Sequence, residues 1–172
     1  MRFQSLTILS LAALSVALPA SVLKARQAGV LQATTFNDIS IAGGVAGNAE
    51  EEAAAAFSAL DLNDLASVSK ADQDFLNEVN QVANDAEKEA FNPAVEAATG
   101  AEADAIQAGK IKNKVLKLMA TVIKLEAQQA QGADVAAKLE EETTKLNNNI
   151  ATDKENAGNP STAVPFDATI SA

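Results

Sequence analysis

Cysteine, histidine, tryptophan and tyrosine are all missing from this sequence, and its only aromatic residues are six phenylalanines. Without His or Cys there is no Ser-His or Cys-His nucleophile and no ordinary zinc site, because imidazole and thiolate supply the base and the ligands in both. Without Cys there is also no disulfide to supplement a thin core, so burial alone must hold the fold. Without Trp or Tyr, paired carboxylates have no aromatic cleft in which to grip a sugar for hydrolysis. Positive charge is scarce as well. Lys and Arg number 13 against 23 acids, a net charge of −10, which favours solubility and disfavours general nucleic-acid binding. Together these gaps argue against an enzyme and imply no cofactor or metal.

Met1 to about Ala20 reads as a secretory signal peptide. Arg2 supplies the positive start, Leu6 to Leu18 the apolar run, and Ser15-Val16-Ala17 and Pro19-Ala20 the small residues near a cut. The run of about 13 residues is shorter than the ~17 needed to span a bilayer. A secreted, extracellular protein with no stable membrane span is therefore expected, with a second, kexin-like cut possible after Lys24-Ala25-Arg26.

The longest periodic segment of the remaining chain is Ala108 to Gln131. Ile111, Val115, Leu118, Val122 and Leu125 repeat at steps of four and three, and Leu116, Met119 and Ile123 widen the face to about 180°. A helix so broadly apolar is expected to lie between two neighbours. It should begin near Ala101 to Asp104, with Gly109 marking a kink or a close contact, and end at Gly132.

Three further helices are expected around it. The first runs from Ala49 to about Leu60, with Asn48 as N-cap, Glu51 in capping-box position and Glu50-Glu51-Glu52 at the favourable end of the dipole. Ser69 caps the next, and its stripe is Phe75, Leu76, Val79, Val82, Ala83, Ala86 and Ala90, interrupted at Asn92-Pro93. Asp134 caps the last, whose narrow face holds Val135, Leu139, Leu146 and Ile150 and which stops at Gly158-Asn159-Pro160.

The expected fold is all-α: an antiparallel helical bundle of three long helices and one short, with extended N- and C-terminal segments. The divisions are a signal peptide at 1–20, an extended or loop segment at 27–47, a bundle domain at 48–158 and a tail at 159–172. Val164, Phe166 and Ile170 in the tail are placed to pair with Phe36, Ile39 and Ile41, which could lie extended.

Lys110, Lys114, Lys117 and Lys124 fall within about 80° of one another on the helical wheel, away from the apolar face. They form a candidate interaction face for an acidic polymer, or simply a strip opposing the carboxylates of neighbouring helices. Lys112 differs, since it lies within the apolar arc and must carry its ammonium to an edge or pair with a Glu. The runs Glu50-Glu51-Glu52 and Glu140-Glu141-Glu142 do not make calcium sites, because consecutive helical carboxylates diverge by about 100°. Asn159-Pro160-Ser161 is barred from N-glycosylation by its proline, which leaves Thr34, Thr35, Ser161 and Thr162 as candidate O-glycan acceptors.

Gly109-Lys110-Ile111-Lys112-Asn113-Lys114-Val115-Leu116-Lys117-Leu118, Lys145-Leu146-Asn147-Asn148-Asn149-Ile150-Ala151 and Gly43-Gly44-Val45-Ala46-Gly47-Asn48-Ala49 carry a resemblance. Over roughly Phe36 to Phe166 the chain resembles a group of small secreted proteins of filamentous ascomycete fungi. Its size, leader and helical content are also similar to those of fungal hydrophobic-surface-binding proteins, with no specific motif shared. The resemblance implies a secreted, non-enzymatic role at the cell wall or toward a host or substrate, with an unidentified protein or wall partner. It transfers no site residues. A carrier or coat that binds lipid or hydrophobic surfaces is the alternative from another class.

Overall fold

The computed structural model describes residues 28–172, so the expected signal peptide and the Lys24-Ala25-Arg26 cut lie outside the described residues. The chain is mostly helical, with two minor antiparallel strand pairs. In order, it forms β1 (Thr34–Thr35), α1 (Phe36–Ile39), β2 (Gly44–Val45), α2 (Ala49–Ala56), α3 (Lys70–Ala86), α4 (Asn92–Ala97), α5 (Ala101–Ala130), α6 (Ala136–Glu155), β3 (Pro160–Ser161) and β4 (Thr169–Ile170).

Helix α5 is the element the others pack on. Helices α2, α3, α4 and α6 and strand β3 all touch it. Its broad apolar face explains this, because one neighbour cannot cover 180° of a cylinder. Val115 is fully buried, and Leu118 and Val122 are 6% exposed. Ile111 and Met119 sit at the margins, half-buried.

Helix α3 buries Phe75, Leu76, Val79, Val82, Ala83 and Ala86, as its stripe requires. Ser69 caps it: the Asp72 amide donates to Ser69 Oγ at 3.1 Å, and the Ser69 hydroxyl donates to Asp72 Oδ2 at 2.7 Å. The expected break before Pro93 takes another form. Glu87–Phe91 make a wide π turn, in which the Asn92 amide reaches back to Glu87 O, and Asn92 itself keeps helical angles. The wide turn adds one residue to the repeat, so Phe91 and not Ala90 continues the buried stripe; Phe91 is fully buried and Ala90 half-buried.

Several helix ends differ from expectation. Asn48 makes no side-chain cap for α2; Asp153 of α6 does so from across the fold, its Oδ2 accepting from the Ala49 amide at 2.9 Å. Helix α2 stops at Ala56, where tight turns (Phe57 N to Ala54 O, 3.2 Å) replace its last helical turn and still bury Phe57 and Leu60. Asp134 does not cap α6, which begins after Val135 with no side-chain cap. A one-turn helix, α1, also occupies Phe36–Ile39 where an extended strand was expected; Thr35 caps it by accepting from the Asp38 amide.

The segments 34–45 and 160–170 do meet, though the residues that pair as strands are Thr34 with Ile170, Thr35 with Thr169, Gly44 with Ser161 and Val45 with Pro160, not Phe36, Ile39 or Ile41. Strand β1 pairs with β4 and β2 with β3, each antiparallel. Phe36 meets Phe166 edge to face at 5.9 Å. Gly109 marks a close crossing, not a kink. The chain just after β3 lies so near α5 that a methyl at Gly109 would overlap the Thr162 carbonyl and stand 3.0 Å from Ala42 O. The Thr162 amide donates to Ala105 O at 2.9 Å in the same crossing.

Candidate functional site

The four lysines of the α5 strip are half-buried, and Lys114, Lys117 and Lys124 lie along its seam with α3. Lys114 and Lys117 converge on Glu87, at 3.1 and 2.8 Å, at the C-terminal end of α3. Lys117 also reaches Asn84 Oδ1 at 3.4 Å, and Lys124 donates to Asn77 Oδ1 at 2.8 Å. Lys110 makes no such bond among the described residues. The strip is thus brought together with α3 side chains, and three of its four ammonium groups are occupied. Burial pushes the Glu87 carboxyl up, but the Lys117 and Lys114 ammonium groups outweigh it and hold the group below the ordinary carboxylate range. Burial chiefly, and the charge of Lys70 next, hold Lys124 below the ordinary lysine range against the pull of Asp74.

Lys112 is fully buried, and its ammonium does not reach solvent. It donates to Gly43 O at 2.8 Å and Val45 O at 3.2 Å and pairs with Glu52 at 2.7 Å. The same glycine-rich loop is held from its other end by Asp153, which is 2% exposed and also accepts from the Gly47 amide at 3.0 Å. Gly47 takes φ +116, and its α-carbon lies against Ala157 with no room for a side chain. A cation from α5 and an anion from α6 thereby fix one loop through its carbonyls and amides respectively.

Asp72 acts likewise on the N-terminal segment, accepting from the Val30 and Leu31 amides at 2.7 and 2.9 Å. Asn113, fully buried, donates to Ala83 O at 2.9 Å. Ser161, one of the O-glycan candidates, is buried and donates to Ala42 O at 2.6 Å, whereas Thr162 is exposed. Asp72 is legible in the sequence only as the third residue of the helix that Ser69 caps, and neither Asn113 nor Asp153 stands out there. Their signal was position, since each lies on an apolar stripe: Asp72 before Phe75 and Leu76, Asn113 before Leu116, and Asp153 after Ile150.

Glu142 is the exception among the acidic runs. It lies nearly buried between Lys138 and Lys145, at 2.8 and 3.0 Å. Burial raises its carboxyl, and the two ammonium groups reverse the sign, so it also stays below the ordinary range.

A groove of about 400 Å³ lies where the start of α5, the end of α6 and β3 meet. Ala105, Ala108, Ile111 and Pro160 form its apolar part. Asp104, Gln107, Thr152, Asn156 and Asn159 bring carboxylate, hydroxyl and amide groups to it, and no basic or aromatic residue lines it. Among the described residues no group of His, Cys, Asp and Glu is arranged to hold a metal ion, and no helix is long and apolar enough to cross a membrane.

No curated protein and no solved structure matches the chain. A family model does, over residues 31–165, which takes in the clamped loop, all the long helices and the groove. On that match, the chain belongs to the family described as Domain of unknown function (DUF8454).

Proposed function

We propose that this is a secreted, non-enzymatic helical protein that acts through surface contacts, at the fungal cell wall or toward a host or substrate. Its helices are read as an antiparallel bundle of three long members and one short, closed by the paired terminal segments. One observation carries the reading: among the described residues, three of the four buried ionisable side chains, Lys112, Asp72 and Asp153, are each bonded to backbone groups of a loop or segment, and the fourth, Glu142, is held between two lysines. They act as fasteners, and what is left for recognition is the exposed surface with its groove. Retention on an insoluble wall fraction tests this. Saturable binding at micromolar protein supports it, and protein that stays in the supernatant at every concentration contradicts it. A carrier of lipid or hydrophobic surfaces would need α5 to turn Val115, Leu118 and Val122 outward, from positions at most 6% exposed. Binding to liposomes or to a hydrophobic resin would favour that second reading.

A further inference from the structure

We propose that the groove between the start of α5, the end of α6 and β3 binds a neutral saccharide of one or two rings. The inference rests on the surface-binding reading above and names a ligand class for it. The chemistry of the lining selects that class by elimination.

An anion finds no Lys or Arg in the groove and meets the Asp104 carboxylate. A purely apolar ligand would cover half of the lining at the expense of its polar groups. An alkylammonium would use only the acceptors and would leave the amide donors of Gln107 and Asn159 to water. Sugar hydroxyls both donate and accept, which is what a set of side-chain amides, a hydroxyl and a carboxylate offers.

The availability of these groups agrees. Thr152 Oγ1 donates to Asn148 O at 2.9 Å and Asn156 Nδ2 to Thr152 O at 2.7 Å, so both side chains are held in place with an acceptor oxygen left over. The side chains of Asp104, Gln107 and Asn159 make no hydrogen bond to the described residues, so binding breaks none. Ala105, Ile111 and Pro160 give the C–H faces of a pyranose ring something to lie on. A volume of about 400 Å³ is in the range of small-ligand sites. With no aromatic ring to stack on, the dissociation constant is expected on the order of millimolar.

The test is residue-resolved amide NMR of the mature protein titrated with N,N′-diacetylchitobiose, laminaribiose and mannobiose, with glycerol and spermidine as controls. The expected result is a saturable shift, for at least one disaccharide, confined to the first turns of α5, the last turn of α6 and β3. Gln107→Ala with Asn159→Ala, which removes no internal hydrogen bond, should weaken that binding about tenfold or more with the melting temperature unchanged. The proposal is overturned if no disaccharide moves these resonances at 50 mM, if spermidine binds there more tightly than every disaccharide, or if the double variant binds as well as the parent. Wall retention separates this failure from that of the broader reading. A double variant retained as well as the parent removes the groove and keeps surface binding. A parent that is not retained, yet binds disaccharide at these residues, does the reverse.

Discussion

Single polar residues fasten loops and segments of this fold to its helices. Lys112 is the clearest case, a fully buried ammonium on two loop carbonyls and one carboxylate. Its partner Glu52 is 38% exposed, so water can take over that carboxylate if the lysine is lost. Lys112→Met should therefore destabilise the protein by about 2 kcal/mol, less than the ~3–5 expected when a wholly buried partner is stranded. Urea denaturation checks this, and protection of the Gly43–Gly47 amides from hydrogen exchange should fall with it. Gly109 acts through its lack of a side chain. The atom that a β-carbon would meet is the Thr162 carbonyl, which is backbone and cannot swing aside. Gly109→Ala should cost about 2 kcal/mol or more and loosen residues 159–172, seen as faster proteolysis of the C-terminal segment; unchanged proteolysis would mean the crossing is not close.

At the scale of elements, the seam between α3 and α5 combines an apolar stripe with one charged node. Glu87 reaches that node in the register of α3: its amide still donates to Ala83 O, and it lies one turn beyond Asn84, which also meets Lys117. Its folded pKa lies below its ordinary value of 4.5, so its contribution to stability is complete above that value. It is lost as pH falls through the lower, folded value. Glu87→Gln should reduce stability by about 1–2 kcal/mol at neutral pH, and the gap from the parent should close at strongly acid pH. A gap that persists there would show that the carboxylate charge is not what holds the seam.

Local signals were readable at this scale and distant ones were not. The stripe from Phe75 to Ala86, the Ser69 cap and the span of α5 follow from spacing and adjacent chemistry, all carried by neighbouring residues. The true cap of α2 comes from Asp153, about a hundred positions away, and no local pattern announces it. The wide turn is also invisible to a fixed 100° repeat, which is why Ala90 seemed to occupy the place that Phe91 holds. The groove lies outside any such reading, because its polar side chains come from three separate elements. The lysine strip was visible as a strip, but its partners on α3 could be named only once the helices were in register.

Over the described residues the molecule is organised as α5 wrapped by its neighbours, with the segments 34–45 and 160–170 tied together by short strand pairs. No disulfide contributes, since the chain has no cysteine, so the stability of the core is that of apolar burial plus the polar fasteners. Leu118, 6% exposed on α5, is the residue at which that claim is most open to attack. A lone charge buried there costs several kcal/mol, against a total stability of about 5–15 kcal/mol for a domain of this kind. The deciding measurement is the thermal melt of Leu118→Asp followed by far-ultraviolet circular dichroism. Loss of the cooperative transition is the predicted result; a cooperative melt within a few degrees of the parent would show that α5 is not the buried centre of the fold.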